Sequence, residues 1–202
     1  MKLALVDHGA GNLVSIAQAL RRAGSEVVWA TQPVDLSGVS GIVLPGVGAT
    51  AHVMDGIRKA GLEEELRRPT TPMLGICVGM QVLFEGSDED NAPGLDLIKG
   101  RVRRLLDPPR LPHIGWNELE LKRPDPLLEG IGSSPEVYFV HSYAPVPTDR
   151  SCVVATSNHG QDFVAAVRSG SITGVQFHPE RSGTTGTQIL ANFVNECRKA
   201  SE

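Results

Sequence analysis

The apolar positions in the first half of the chain alternate between short unbroken runs and helical spacing. Leu3 to Val6 is an unbroken run bounded by Lys2 and Asp7, as a strand buried on both faces requires. Leu13, Ile16, Ala17 and Leu20 then recur on one face and predict a helix over 13–22. Residues 26–30 and 41–44 read as two further strands, the second running into Pro45-Gly46-Val47-Gly48. A helical stretch follows over 51–68, with Gly56 and Gly61 as weak points. Thr71 to Ile76 is again a short apolar strand, turning at Cys77 into a helix that reaches about residue 85. Strands and helices alternating at these lengths predict an α/β fold with a doubly wound, mostly parallel central sheet. Loops at the carboxyl edge of such a sheet form the site.

After Gly86 the rhythm changes. Ser87 to Asn91 reads as a solvated acidic loop, and Arg101-Val102-Arg103-Arg104 as a half-exposed strand with its basic side chains in water. Strands predicted over 117–121, 136–140, 152–157, 163–168 and 171–177 add an antiparallel β region to the C-terminal half. A helix over 187–199 closes the chain. Neither a repeat nor a Pro/Ser linker interrupts it, so residues 1–202 are expected to form a single domain.

Composition narrows the classes. Hydrophobic residues make up 41% and charged ones 21% of 202 positions, enough to bury a core without staples. The net charge of −4 argues against nucleic acid and anionic membrane as partners. The cysteines Cys77, Cys152 and Cys197 contain no C-x-x-C pair, which argues against a disulfide framework or zinc knuckle and for a reducing compartment. The N-terminal apolar run is too short for a signal peptide and no later run could span a bilayer, so a cytoplasmic location is expected. No histidine pair has metal-ligand spacing, and no metal or other cofactor is expected. The loop Asp7 to Asn12 is glycine-rich but lacks both G-x-G-x-x-G and a Walker lysine, so a sheet-edge loop is expected there rather than a nucleotide site.

Three stretches carry candidate chemistry. Gly75-Ile76-Cys77-Val78-Gly79 is G-x-C-x-G, the thiol counterpart of a nucleophile elbow. Small residues two positions either side let a strand turn sharply into a helix, lifting the thiol clear and leaving the Val78 amide free for an oxyanion. A buried structural cysteine in a glycine-punctuated segment fits the same pattern. Gln176-Phe177-His178-Pro179-Glu180 follows an apolar strand. If the backbone stays extended through Pro179, His178 and Glu180 project from one face, as a base and its orienting carboxylate must. A loop holding a capped histidine is the plainer alternative. Pro45-Gly46-Val47-Gly48 is either a tight turn or, placed beside the elbow strand, a source of a second oxyanion amide.

Together, and in this order and spacing, P-G-x-G, G-[IV]-C-x-G-x-Q and H-P-E resemble the class I (triad) glutamine amidotransferases along the whole chain. Within that family the resemblance runs toward the glutaminases that serve a (β/α)8-barrel cyclase making imidazole glycerol phosphate and AICAR in histidine biosynthesis. It is carried by Gly9-Ala10-Gly11-Asn12 with Ser15, Leu111-Pro112-His113-Ile114-Gly115-Trp116-Asn117, Tyr138-Phe139-Val140-His141-Ser142-Tyr143 and Gly174 to Glu180. The resemblance implies glutamine hydrolysis through a thioester, with Cys77 as nucleophile, His178 as acid–base and Glu180 orienting it. It implies an oxyanion hole from the backbone of Val47 and Val78, and a glutamine pocket from Gly46, Gln81, His141, Ser142 and Tyr143. The Gly46–Val47 peptide would turn over in the active state. Asn12, Trp116, Tyr138 and Arg181 would face the cyclase subunit in a heterodimer, to which ammonia passes through a tunnel. Arg181 stands where lysine is usual, and His8 and Thr50 also depart from the family pattern. Other triad glutaminases, serving anthranilate or pyridoxal phosphate synthesis, and a non-catalytic interaction protein of the same fold are the alternatives. The intact Cys77, His178 and Glu180 weigh against the last of these.

Overall fold

The computed structural model describes residues 1–9, 11–106 and 108–201. Ala10 of the first glycine loop, Asp107 and Glu202 lie outside the described residues. The first half builds a parallel sheet. Strands β1 (Lys2–Val6), β2 (Glu26–Ala30), β3 (Gly41–Leu44) and β4 (Met73–Ile76) alternate with helices α1 (Leu13–Arg22), α2 (Thr50–Lys59) and α3 (Glu63–Arg67). Every residue of β3 and β4 is buried, as expected of strands covered on both faces. After the one-turn helix α4 (Val78–Gln81) come β5 (Phe84–Ser87), β6 (Ile98–Arg104), β7 (His113–Glu118) and β8 (Glu120–Leu121). Then follow β9 (Glu136–His141), β10 (Tyr143–Pro147), β11 (Val153–Asn158), β12 (Asp162–Ser169), β13 (Ile172–Val175) and helix α5 (Gly183–Ala200).

The main sheet has the order β2-β1-β3-β4-β13-β12-β11-β8. It is parallel from β2 to β13 and antiparallel from β13 to β8. The strand order reverses between β1 and β3, so the loops that leave these two strands flank a crevice at the carboxyl edge. A small sheet β10-β6-β5 and the ribbon β7-β9 form the remaining β structure among the described residues. Helix α5 packs directly on β3: a Cβ at Gly41 would collide with the Cys197 sulphur. One buried ion network ties the antiparallel end together. Arg168 on β12 reaches Asp125 at 2.7 and 2.8 Å and Glu196 on α5 at 3.0 Å, and the Asp125 carboxylate is fully covered.

Four expectations are corrected. The helix over 51–68 is two helices, because Gly61 takes φ +71 and breaks the run after α2. The helix after Cys77 does not reach residue 85; it ends at Gln81, and Phe84–Ser87 instead pairs in parallel with β6. The strand expected over 117–121 is split into β7 and β8, and it begins earlier, at His113. Strand β10 has no counterpart among the strands expected from the sequence, since Pro145 and Pro147 lie within it. Proline is tolerated there because β10 is an edge strand.

Candidate active site

Strand β4 delivers Cys77 to the carboxyl edge, where its backbone adopts φ 55, ψ −112. That conformation is strained for a residue with a Cβ, and the neighbours show why it persists. A Cβ on Gly75 would stand 2.5 Å from the Gly79 carbonyl oxygen, and one on Gly79 would fall on the carbonyl of Leu44. Gly75 is thus a steric requirement of the turn itself, and Gly79 of the turn's packing against the end of β3. The Cys77 amide donates to Val175 O at 2.8 Å, which locks the turn to β13.

Strand β13 runs parallel beside β4, with Val175 opposite Ile76, and leaves the sheet at the same edge as Cys77. The next residues are Gln176, Phe177 and His178, all buried. The His178 amide donates to Tyr138 O at 2.9 Å. The backbone does not remain extended through Pro179: Pro179–Arg181 is a 3-10 turn with proline at its first position, where the fixed φ suits a helical start. That turn swings Glu180 under the ring, with Oε1 3.0 Å from His178 Nδ1. A carboxylate only accepts, so Nδ1 carries a proton and Nε2 is the nitrogen left for the thiol. Burial works against a charged ring, but contact with Cys77 and Glu180 outweighs it and His178 is pushed up to about 10.

These residues open on a cleft of about 320 Å³, a size suited to a small metabolite. Val47, Gly48, Cys77, Val78, Gln81, Glu89, His141, Ser142, Tyr143, His178 and Glu180 line it, with Asn12 and Arg181 at its border with the aromatic patch described below. Gly46 lies beneath Val47, buried against α4: a Cβ there would be 2.7 Å from the Gly79 nitrogen. His8 holds the same loop from the other side, its Nε2 donating to Pro45 O at 2.7 Å. Burial lowers the His8 pKa.

Polar groups behind the cleft form a directed chain. Tyr143 O can only accept, and it takes Gln81 Nε2 at 3.1 Å and His141 Nδ1 at 2.9 Å. Burial pushes His141 down to about 3, so its Nε2 is an acceptor for His113 Nδ1 at 3.1 Å. Gln81 Nε2 also donates to Gln176 Oε1 at 3.1 Å. Both N–H groups of Gln81 are therefore used, and only its oxygen remains for a ligand.

Trp116 and Tyr138 lie outside the cleft lining, opposite each other on the β7-β9 ribbon with ring centroids 6.0 Å apart. The Arg181 guanidinium sits 4.6 Å over the Tyr138 ring. Trp116 is 51% exposed and Ile114 60% exposed, so this aromatic patch is open and continuous with the cleft mouth through Arg181. Sequence reasoning misses Glu89 and gives no role to Gln176. Glu89 sits in the stretch read as a solvated loop, yet it borders the cleft, and burial with Asp90 nearby raises its pKa. Nothing in one sequence separates it from its acidic neighbours.

A strand–elbow–helix cysteine lies beside a histidine and its carboxylate at the carboxyl edge of a mostly parallel sheet, an arrangement able to support nucleophilic acyl transfer. Residues 4–197 match the glutamine amidotransferase class-I family, and the chain belongs to that family. Among its relatives, the imidazole glycerol phosphate synthase subunit HisH of Synechococcus sp. (strain JA-3-3Ab) is 49% identical over 201 residues, covering 96% of this chain and 93% of that protein. The HisH subunit of Moorella thermoacetica is 40% identical over 202 residues, covering 98% and 96%. The structure of PurLQS from Thermotoga maritima shares the fold at TM-score 0.74 and 19% identity, covering 96% of this chain and 97% of that one. Among the described residues no helix is long and apolar enough to cross a membrane.

Proposed function

We propose that this chain is the glutamine-hydrolysing subunit of an imidazole glycerol phosphate synthase, acting as one glutaminase domain in the cytoplasm. The observation that carries the reading is the meeting of Cys77, His178 and Glu180 at one cleft from positions a hundred residues apart. The near-full-length similarity to HisH subunits points to the particular pathway.

Glutamine enters with its ammonium toward Gln81 Oε1 and the Glu89 carboxylate, the negative side of the cleft. His141, Ser142, Tyr143 and the backbone at Gly46 form the rest of the amino-acid pocket. Cys77 passes its proton to His178 Nε2 and attacks the side-chain carboxamide carbon. The resulting oxyanion is met by the Val78 amide and by the Val47 amide once the Gly46–Val47 peptide turns toward it. His178 then protonates the leaving nitrogen, ammonia departs, and a thioester remains on Cys77. Water, deprotonated by His178, cleaves the thioester to glutamate and restores the thiol. Glu180 keeps the ring in the tautomer that both steps require.

Ammonia released this way is captured only if a partner covers the cleft. Asn12 and Arg181 line the cleft, the half-buried Tyr138 and exposed Trp116 adjoin it through Arg181, and Trp, Tyr and Arg are the residue types that anchor interfaces. They are the surface on which the (β/α)8-barrel cyclase docks. The test is glutamate release by the chain in the presence of the cyclase's substrate and the cyclase itself. Cys77→Ala should abolish it; retained glutamate release in that variant overturns the reading.

A further inference from the structure

We propose that Gln176 is a further catalytic residue, whose side-chain amide donates to the Cys77 sulphur and holds it as the attacking thiolate. The inference rests on the glutaminase reading above. Its support is an orientation that leaves no choice. An Asn or Gln amide can be placed either way round, but here Tyr143 O fixes the first member of a chain. A carbonyl only accepts, so the Gln81 amide atom 3.1 Å from Tyr143 O is its nitrogen and not its oxygen. Gln81 nitrogen then needs an acceptor in Gln176, which sets Gln176 Oε1 toward it at 3.1 Å. Gln176 Nε2 is left pointing at Cys77 Sγ, 3.7 Å away.

Gln176 is fully buried, so water does not compete for that donor. Among the described residues the sulphur's other side-chain and carbonyl hydrogen-bond partners are the His178 ring on the cleft side and Val140 O at 3.8 Å. A carbonyl oxygen repels a thiolate. Gln176 is therefore the donor that stabilises negative charge from behind while His178 carries the transferred proton in front. The arrangement also ties the nucleophile to Gln81, the group expected to meet the substrate's ammonium. One carboxamide spans the distance between the binding group and the reacting atom.

The charged and titratable groups that line the cleft with this sulphur are Glu89, His141, Tyr143, His178, Glu180 and Arg181. None of them is altered by substituting Gln176. The experiment follows alkylation of Cys77 by iodoacetamide as a function of pH in the full chain, with Gln176→Met, which keeps the shape and removes the donor. The acid limb of the rate profile should move up by about one to two pH units, roughly 10- to 100-fold in the thiolate-to-thiol ratio, as expected for losing a hydrogen bond to a charged group. With the cyclase present, kcat for glutamine hydrolysis should fall by about tenfold or more. Gln81→Met, which removes the group that orients Gln176, should raise KM and move the limb in the same direction by less than Gln176→Met does. A larger shift in Gln81→Met than in Gln176→Met overturns the assignment of the donor to Gln176.

An unmoved limb in folded Gln176→Met overturns the proposal. If that variant does not fold, the unsubstituted protein decides: the Gln176 side-chain amide resonances should shift when Cys77 is alkylated, and unshifted resonances overturn it equally. Glutamate release surviving Cys77→Ala would sink the glutaminase reading itself, whatever Gln176 does.

Discussion

Gly46→Ala tests whether the contact between the P-G-V-G loop and the elbow helix sets the chemistry. The added Cβ would lie 2.7 Å from the Gly79 nitrogen and 3.0 Å from both Val78 C and Val78 Cβ. Ordinary contact begins at 3.4 Å, so loop and helix must part by about 0.7 Å. Two of these atoms are backbone and the third is a Cβ fixed to it, so none can rotate out of the way. Gly46 itself lies outside the left-handed region, so alanine there also gains about 0.4–1 kcal/mol by restricting the unfolded chain. Overpacking costs about 1–3 kcal/mol, leaving a net loss of roughly 1–2 kcal/mol and a melting point lower by about 2–8 °C. Activity should suffer more. The displaced atoms are the Gly46–Val47 peptide and the Val78 amide, the two proposed oxyanion donors. A misplacement of about 1 Å can cost about 100-fold, so a shift of this size should lower kcat by roughly 10- to 50-fold with KM little changed. Thermal unfolding and glutamate release with the cyclase read the two effects separately. A variant that melts as expected but keeps kcat within about twofold would refute the idea that this contact fixes the donors.

Three other outcomes are expected. The His178 ring titrates at 6.5 when free and near 10 in the fold. Its contribution to stability is therefore complete below pH 6.5 and is lost as pH rises from 6.5 through 10, by roughly 2–5 kcal/mol. Glu180→Gln removes one of the two groups that hold that proton and should flatten the fall in melting temperature across this window; an unchanged slope counts against it. Asp125→Ala leaves Arg168 buried beside only Glu196 and should cost about 3–5 kcal/mol in urea unfolding, with KM for glutamine unaltered. Trp116→Ala should weaken cyclase binding by about 30-fold or more, measured by titration calorimetry, without moving the melting temperature; undiminished affinity would remove Trp116 from the interface.

Legibility in the sequence follows how local each determinant is. Strands β1, β3 and β4 can be read because a buried parallel strand is a continuous apolar run. The elbow can be read in part because Gly75 answers a clash with Gly79 four residues on, whereas the clash at Gly79 is with Leu44 of β3. Gly61 marks a weak point in the helix over 51–68, but only its left-handed φ decides that the helix breaks there. Phe84 and Glu85 read as the end of a helix because Val82, Leu83 and Phe84 continue an apolar run; the partner β6 begins more than ten residues later and leaves no trace at Phe84 itself. His178 and Glu180 do meet in space, but not along the backbone path that their spacing suggests. The i, i+2 relation holds in an extended chain, whereas here the proline starts a 3-10 turn that brings the carboxylate round. Gln176 and Glu89 are illegible as site residues for the same reason as β5. Their meaning depends on Gln81, Tyr143 and the cleft wall, which only the folded chain brings to them.

Cys77 and His178 hang from neighbouring parallel strands that are paired residue by residue, from Met73 beside Ile172 to Ile76 beside Val175. The distance between sulphur and imidazole is thus among the stiffest in the molecule. Control over turnover has to be applied elsewhere, through the loops that border the crevice, where Val47 and Gly48 are exposed and a Cβ on Gly48 would meet open space. If the proposed turning of the Gly46–Val47 peptide completes the oxyanion hole, an enzyme arranged in this way idles with its sulphur and imidazole already paired, waiting on a single peptide plane.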